Sequence, residues 1–407
     1  MKKNIMILGA GRGQVGLIQA VKRYGHTAVV ASISGDYPGL KIADKVCDVD
    51  ITDPRQVARA AKAQNIDGIV TCCMDTGMEA LGFVCDQYHL SGLSLEAAEV
   101  SRDKLKMKEK MRDYGVQTPK FLKASEIKDL DIASKTLRFP VIVKAVDQQG
   151  SKGLYIAESI ENLRGAFDNS ISETKKPYCI IEEFISGQKH GANGCIYGGN
   201  LIFLLPTKDI TDGIATLGHI VPFWIEEDTR MELERQVKTA LHAIGLDNCV
   251  FNVDFIMQDG KIQIIEITGR MGANGLPELI SMYYGIDIYK MLIDISLGID
   301  PTEYFQQNCS TKTSVCSYML SSPKDGILKE IKTNGLEDKK NVAFSFFVSK
   351  GDPVFRYRSA KDCVGQIVVQ GESAEACLMQ IEEAQKMLDI VLEEEYESVM
   401  GASIIKS

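Results

Sequence analysis

The segment FNVDFIMQDGKIQIIEITGR, residues 251–270, constrains this chain more than any other. It reads as two strands rich in β-branched and aromatic residues, joined at Asp259-Gly260, a strong hairpin signal. Successive side chains point to opposite faces of a strand, so the turn decides which residues share a face. A plain two-residue turn sets Asp254 opposite Ile265 and sends Glu266 to the other face. A type I turn closed by Gly260 in the left-handed region, with a bulge, puts Asn252, Asp254, Glu266 and Thr268 together. Ile265 and Ile267 then share the opposite face with Val253 and Phe255. The second geometry separates polar from apolar residues and is the expectation. Two carboxylates on one face repel unless a cation lies between them. Hard oxygen ligands beside phosphates suit Mg²⁺, or Mn²⁺ in its place. The alternative is a solvated acidic face, against which Arg270 and a Gly-rich loop follow immediately.

Four further elements precede the hairpin in order: Lys104 in SRDKLKMK, Lys144 closing FPVIVKA, the loop QQGSKGLYI, and the strand YCIIEEFISG. A lysine that ends an apolar strand needs an anion or an outlet to solvent. Next to Gly150, Ser151, Lys152 and Gly153, phosphate oxygens are the natural partner. Glycine lets the backbone approach, serine adds a donor, and successive N–H groups form a nest.

Residues 1–98 alternate short apolar runs, NIMILG, TAVVAS and GIVTCC, with helical patterns at 14–24 and 54–64. That order predicts a parallel, doubly wound sheet. Gly11, Gly13 and Gly16 have dinucleotide-binding spacing. The acid that should close the second strand is absent there, and Asp36 lies late in a turn-like stretch. The glycines are read as a tight strand-to-helix turn, although the helix N-terminus also suits an anionic substrate. Asp75 and Glu79 follow the third strand, at the end of the sheet where open α/β sheets bind ligands, and are candidate contacts for a substrate amine. Cys72 and Cys73 are read as packing. A single charged helix is expected from about residue 101 to Gly115, and a long last helix from about 373 to 396. Segment boundaries fall near 99 and 305, which gives an α/β segment 1–98, an α+β segment 99–305 and a smaller α+β segment 306–407.

The chain has 407 residues, too many for one simple core. Its formal net charge is −9 with no basic stripe, which argues against nucleic acid as a partner. No apolar stretch is long enough for a membrane span. An odd count of 11 Cys without a C-x-x-C pair, and five scattered His, favour reduced thiols in the cytoplasm over disulfides or zinc.

The order of these motifs resembles the ATP-grasp superfamily from about residue 99 to 300. Within it, GHIVPF (218–223), RMGANGLPELI (270–280) and GDPV…GESAEA are most similar to L-amino acid ligase-like carboxylate–amine ligases. The resemblance implies an ATP-grasp fold with a mobile lid at about 118–182, between an N-terminal doubly wound domain and a small C-terminal β-rich domain. It implies that ATP phosphates meet Lys104, Lys144 and the loop 150–153. Glu182 would reach the adenine amino group, and backbone at Glu183 to Ile185, including Phe184, would read the ring. Asp254 and Glu266 would hold Mg²⁺, Arg270 would stabilise the phosphorylated intermediate, and Gly272 would lie by the substrate. His219 is a candidate to orient or deprotonate the amine. Thr268 stands where the family has Asn, a weaker metal ligand that puts a second Mg²⁺ in doubt. Lys189 stands where the family tends to have an acid that contacts ribose.

The implied reaction is ATP-dependent activation of a carboxylate and coupling to an amine, with small-molecule substrates and an amino acid among them. Activation of bicarbonate, as in biotin carboxylase or carbamoyl-phosphate enzymes, is the alternative. A nucleotide-binding protein without turnover is the third reading. Dimers are common in such enzymes.

Overall fold

The computed structural model describes residues 1–150, 152–212, 215–258, 260–306, 313–358 and 362–393. The chain forms two compact units: residues 1–207, 223–273 and 287–308 make the first, and 208–222, 274–286 and 309 onward the second.

The first unit opens with four parallel strands, β1 (Asn4–Leu8), β2 (Thr27–Ser32), β3 (Lys45–Asp48) and β4 (Gly68–Val70), in the order β3-β2-β1-β4. Every residue of β2 is buried, as befits a parallel strand covered on both faces. The short edge strand β3 was not expected from its sequence, KVCD, most of which faces solvent. Gly11 is the N-cap of the helix Arg12–Arg23, and Gly13 and Gly16 serve packing. A Cβ on Gly13 would meet that of Cys73 at 2.8 Å, and one on Gly16 would meet the Tyr289 ring at 2.6 Å. Asp36 lies in an exposed ion pair with Lys41.

Next come β5 (Phe121–Ala124), β6 (Val141–Ala145), β7 (Leu154–Ala157) and β8 (Cys179–Glu183), an antiparallel sheet in the order β5-β8-β6-β7. It has its own core, with Val141, Val143 and Ile181 against Leu163 and Phe167 of the helix Ile160–Glu173. The charged helix expected near residue 101 is two helices, Leu95–Arg102 and Lys104–Asp113. Asp103 separates them because its extended backbone lets its carboxylate cap the N–H groups of Leu105 and Lys106.

A second antiparallel sheet contains β9 (Gln188–Tyr197), β10 (Asn200–Asp212), β11 (Ala215–Val221), β12 (Cys249–Gln258) and β13 (Lys261–Thr268). Its first-unit part runs β13-β12-β9-β10. The hairpin keeps the expected partition of polar residues by a different route. Gln258 pairs with Lys261, so the connection is a two-residue turn and the bulge is not in it. Gly260 does adopt a positive φ of 72°, and Asp259 lies outside the described residues. The register slips further along, between Asp254 and Phe255, where Ile265 is the extra residue. Before it Ile262 and Ile264 face the core, and after it Ile267 does, with Val253 and Phe255. A straight strand would carry Glu266 into the core on the face of Ile262 and Ile264. The bulge prevents this and leaves Ile265 half-buried, a correction to its expected place beside Ile267.

In the second unit the last residues of β10 pair with β11, followed by β14 (Ser314–Ser321), β18 (Cys363–Gly371) and β16 (Val342–Phe346). A small sheet holds β15 (Gly326–Lys332) between β17 (Pro353–Val354) and β19 (Asp389–Leu392). The last helix is shorter than expected, Ala374–Met387. The β-branched run after it forms β19 against β15 instead. Among the described residues no helix is long and apolar enough to cross a membrane.

Candidate functional site

Asp254 and Glu266 face each other across β12 and β13, with Asn252 opposite Thr268 one pleat away. Each acid holds a lysine. Lys189 of β9 reaches Asp254 Oδ2 at 2.9 Å, and Lys104 reaches Glu266 Oε1 at 3.3 Å. Asn252 also donates to Asp254 Oδ1 at 3.3 Å. Burial pushes the Asp254 carboxyl up, but Lys189, together with Asn252 and Arg270, holds the group below its ordinary value. The Thr268 hydroxyl is buried without a hydrogen-bond partner. Among the described residues no three His, Cys, Asp or Glu side chains gather as a metal site. Two carboxylates and an orphaned hydroxyl nonetheless fit Mg²⁺, which takes one or two carboxylates and completes its shell with phosphates and water.

Cations surround this pair. Asp103 caps its helix so that Lys104 is the first helical residue, and the Lys104 N–H donates to the Val146 carbonyl just past β6. The Lys104 ammonium donates to the Gln148 carbonyl at 2.7 Å. Lys144, on β6, pairs with Glu182 Oε2 at 2.9 Å. Lys108 was not anticipated and lies fully buried on the same carboxylate oxygen, 3.2 Å away. Its signal was present, since it follows Lys104 by four residues and shares its helix face. Burial lowers the Lys108 ammonium to about 8 although Glu182 raises it. Burial raises Glu182, and the two lysines more than reverse this.

Arg270 grips Asp75 through two bonds, Nε to Oδ1 at 2.5 Å and Nη2 to Oδ2 at 3.0 Å. These two candidates were expected in different roles, and the fold joins them across 195 positions of sequence. Burial pushes Asp75 up, but Arg270, with Arg102 and Lys104 nearby, holds it below the usual carboxylate range. The Asp75 N–H donates to the Gln149 side chain at 3.2 Å, which brings the loop before Gly150 to this corner. The Gly272 N–H donates to buried Asn193, and its carbonyl accepts from the Cys73 thiol at 3.2 Å.

Other candidates fall at the margin. Gly153 packs so closely that a Cβ there would meet Ala145 Cβ at 2.6 Å, and both it and Gly150 have positive φ. Lys152 points outward, 3.9 Å from Glu173. Ser151 lies outside the described residues. The Glu183 side chain pairs with Arg138 and its N–H donates to the Lys120 carbonyl, so that donor is not offered to a base. The Phe184 N–H likewise donates to the Pro140 carbonyl, while its ring is exposed. Ile185 ends this stretch, its carbonyl accepting from Gly187. Glu79 sits in the first turn of the helix Met78–Tyr88. His219 belongs to the second unit, where its Nδ1 is 2.9 Å from Asp209.

Residues 101–274 match the family model described as ATP-grasp domain, and residues 318–393 match L-amino acid ligase C-terminal domain 2. A solved phosphoribosylglycinamide synthetase from Anaerococcus prevotii is 36% identical, with a TM-score of 0.83 over 97% of this chain and 100% of its own. The chain belongs to the ATP-grasp superfamily. An L-amino acid ligase from Bacillus licheniformis shares the fold at a TM-score of 0.82 and 18% identity, over 96% of this chain and 99% of that one. Alanine–anticapsin ligase of Bacillus subtilis is 25% identical over 239 residues, 52% of this chain and 50% of that protein. This ATP-grasp chain spans about half the length of the curated relatives it matches.

Proposed function

We propose that this protein is an ATP- and Mg²⁺-dependent ligase that phosphorylates an amino acid carboxylate and couples the acyl phosphate to an amine, releasing ADP and phosphate. The observation that carries this reading is the register pairing of Asp254 with Glu266, each already holding a lysine, beside buried Lys144. Such a site exchanges internal ion pairs for a metal–polyphosphate complex of the same overall charge pattern.

Lys104 and Lys144 take phosphate oxygens, and the loop 150–153 closes over them to keep water from the acyl phosphate. Glu182 Oε1, buried without a partner, is an acceptor suited to the amino group of adenine. Asp254, Glu266 and the Thr268 hydroxyl would hold Mg²⁺, which would supply charge neutralisation for the polyphosphate. Arg270 stabilises charge on the acyl phosphate. Asp75, its present partner, receives a substrate ammonium, near Gly272 and Glu79. Catalysis on this scheme is positioning and charge neutralisation, without a covalent bond to the protein.

The 36%-identical relative is named for an amide of glycine, and the C-terminal match is to amino acid ligases. Glycine and alanine are therefore the first carboxylates to try. The test supplies ATP, Mg²⁺ and pooled amino acids, measures ADP and phosphate, and traps acyl phosphate with hydroxylamine. A hydroxamate that depends on one amino acid supports the ligase. Turnover that requires bicarbonate overturns it in favour of a carboxylase, and nucleotide binding without any turnover removes the enzyme reading.

A further inference from the structure

Glu182 is sealed from solvent, and its two oxygens are used unequally. Oε2 accepts Lys144 at 2.9 Å and lies 3.2 Å from Lys108, while Oε1 has no partner. One carboxylate thus faces two ammonium groups. Lys144 stands at the end of β6, just before the Gly-rich loop, whereas Lys108 is fully buried on its helix. Lys108 is also tied inward, by a bond of 2.5 Å to the Thr118 hydroxyl and a longer one of 3.5 Å to the Ile264 carbonyl. These bonds hold its ammonium in place.

If Lys144 is to hold a phosphate oxygen, it must give up contact with Glu182. Were it the carboxylate's sole cation, that move would strand a buried charge, a heavily penalised state. We infer that Lys108 is a positioning residue for polyphosphate binding: it keeps Glu182 compensated while Lys144 leaves that carboxylate for the anion. The inference rests on the reading that this site takes ATP. Lys104 and Lys108, one helical turn apart on the same face, thus divide the work. The first reaches the edge of the site at Glu266, and the second secures the charge behind it. With its ammonium at about 8, Lys108 is still largely charged at neutral pH.

The test is ATP affinity, measured calorimetrically with Mg²⁺ on the full chain, for wild type, Lys108→Met, Glu182→Gln and the double variant. Lys108→Met should weaken ATP by about tenfold or more. With Glu182→Gln there is no charge to compensate, so adding Lys108→Met should change affinity by less than about threefold. A role confined to holding the fold would give the same loss in both backgrounds. Wild-type affinity in Lys108→Met, or a tenfold loss that persists with Gln at 182, overturns the inference. If Lys108→Met does not fold, as judged by its melting transition, Glu182→Gln against the double variant decides alone. A tenfold gap sinks the proposal, and equal affinity supports it. A wild-type protein that binds no ATP is a separate result, which removes the nucleotide reading itself.

Discussion

The site contains two lysine–carboxylate contacts that look alike in length and differ in kind. Lys189 and Asp254 meet at 2.9 Å with side chains 35% and 28% exposed, while Lys108 and Glu182 meet at 3.2 Å with both at 1%. Water reaches the first pair, so it can open and hand its carboxylate to a ligand at little cost. The second cannot be opened without stranding a buried charge. Sealed charge fixes the frame, and edge charge is left exchangeable.

The largest effect should come from removing what the edge offers. Asp254→Asn and Glu266→Gln, separately, should each lower ATP turnover by on the order of 10³-fold, several kcal/mol of lost charge neutralisation. Their melting temperatures should stay near wild type. ADP release with excess Mg²⁺ is the measurement, and near-normal rates in both variants would break the metal assignment. Lys108→Met, besides its effect on ATP affinity, should also act on stability. The loss in urea unfolding should be about 2–3 kcal/mol, below the ~3–5 kcal/mol for breaking an isolated buried pair, because Lys144 still faces Glu182.

The buried pair should also leave a mark on pH dependence that the edge pair does not. Facing Lys108 are Glu182 on β8, Lys144 on β6 and Glu266 on β13. Its folded value of about 8 lies below its ordinary 10.5, so between these values the unfolded chain binds more protons. The stability contributed by this lysine therefore rises as pH goes from 8 to 10.5, by at most ~3 kcal/mol. Subtracting the Lys108→Met profile from the wild-type one isolates it. A flat difference over that window would mean that the ammonium is not held in a desolvated site.

Part of the site was legible in the sequence, but this contrast was not, and it was hidden for physical reasons. Strand parity gathered Asn252, Asp254, Glu266 and Thr268 because side-chain alternation is a local property. It misplaced the bulge because a turn or a mid-strand slip both restore parity. The switch from Ile262 and Ile264 to Ile267 as core residues is the clue that favours Ile265. The Arg270–Asp75 contact joins residues 195 apart, and no pattern in either segment encodes the other. Lys108 lay in a run of alternating lysines, KLKMKEK, where composition suggests a solvated helix. Burial by β8 and β13 singles it out.

The smallest effect concerns Lys189, one of the two residues that depart from the family pattern. Lys189→Met removes an ion pair at the water's edge, so stability should shift by less than ~1 kcal/mol. Its influence on the metal should have the opposite sign to that of the acids. Lys189 occupies an Asp254 oxygen that Mg²⁺ would take on the proposed reading, so a bound cation would first have to displace it. Removing the lysine takes away that competitor but also a positive charge near the polyphosphate. The first effect concerns Asp254 directly, at 2.9 Å, and should prevail. The Mg²⁺ concentration giving half-maximal ATP turnover should therefore fall about two- to fivefold, roughly 0.4–1 kcal/mol. A rise instead would mean that Lys189 serves the phosphates, and that the edge pair is as much a part of the anion site as Lys144.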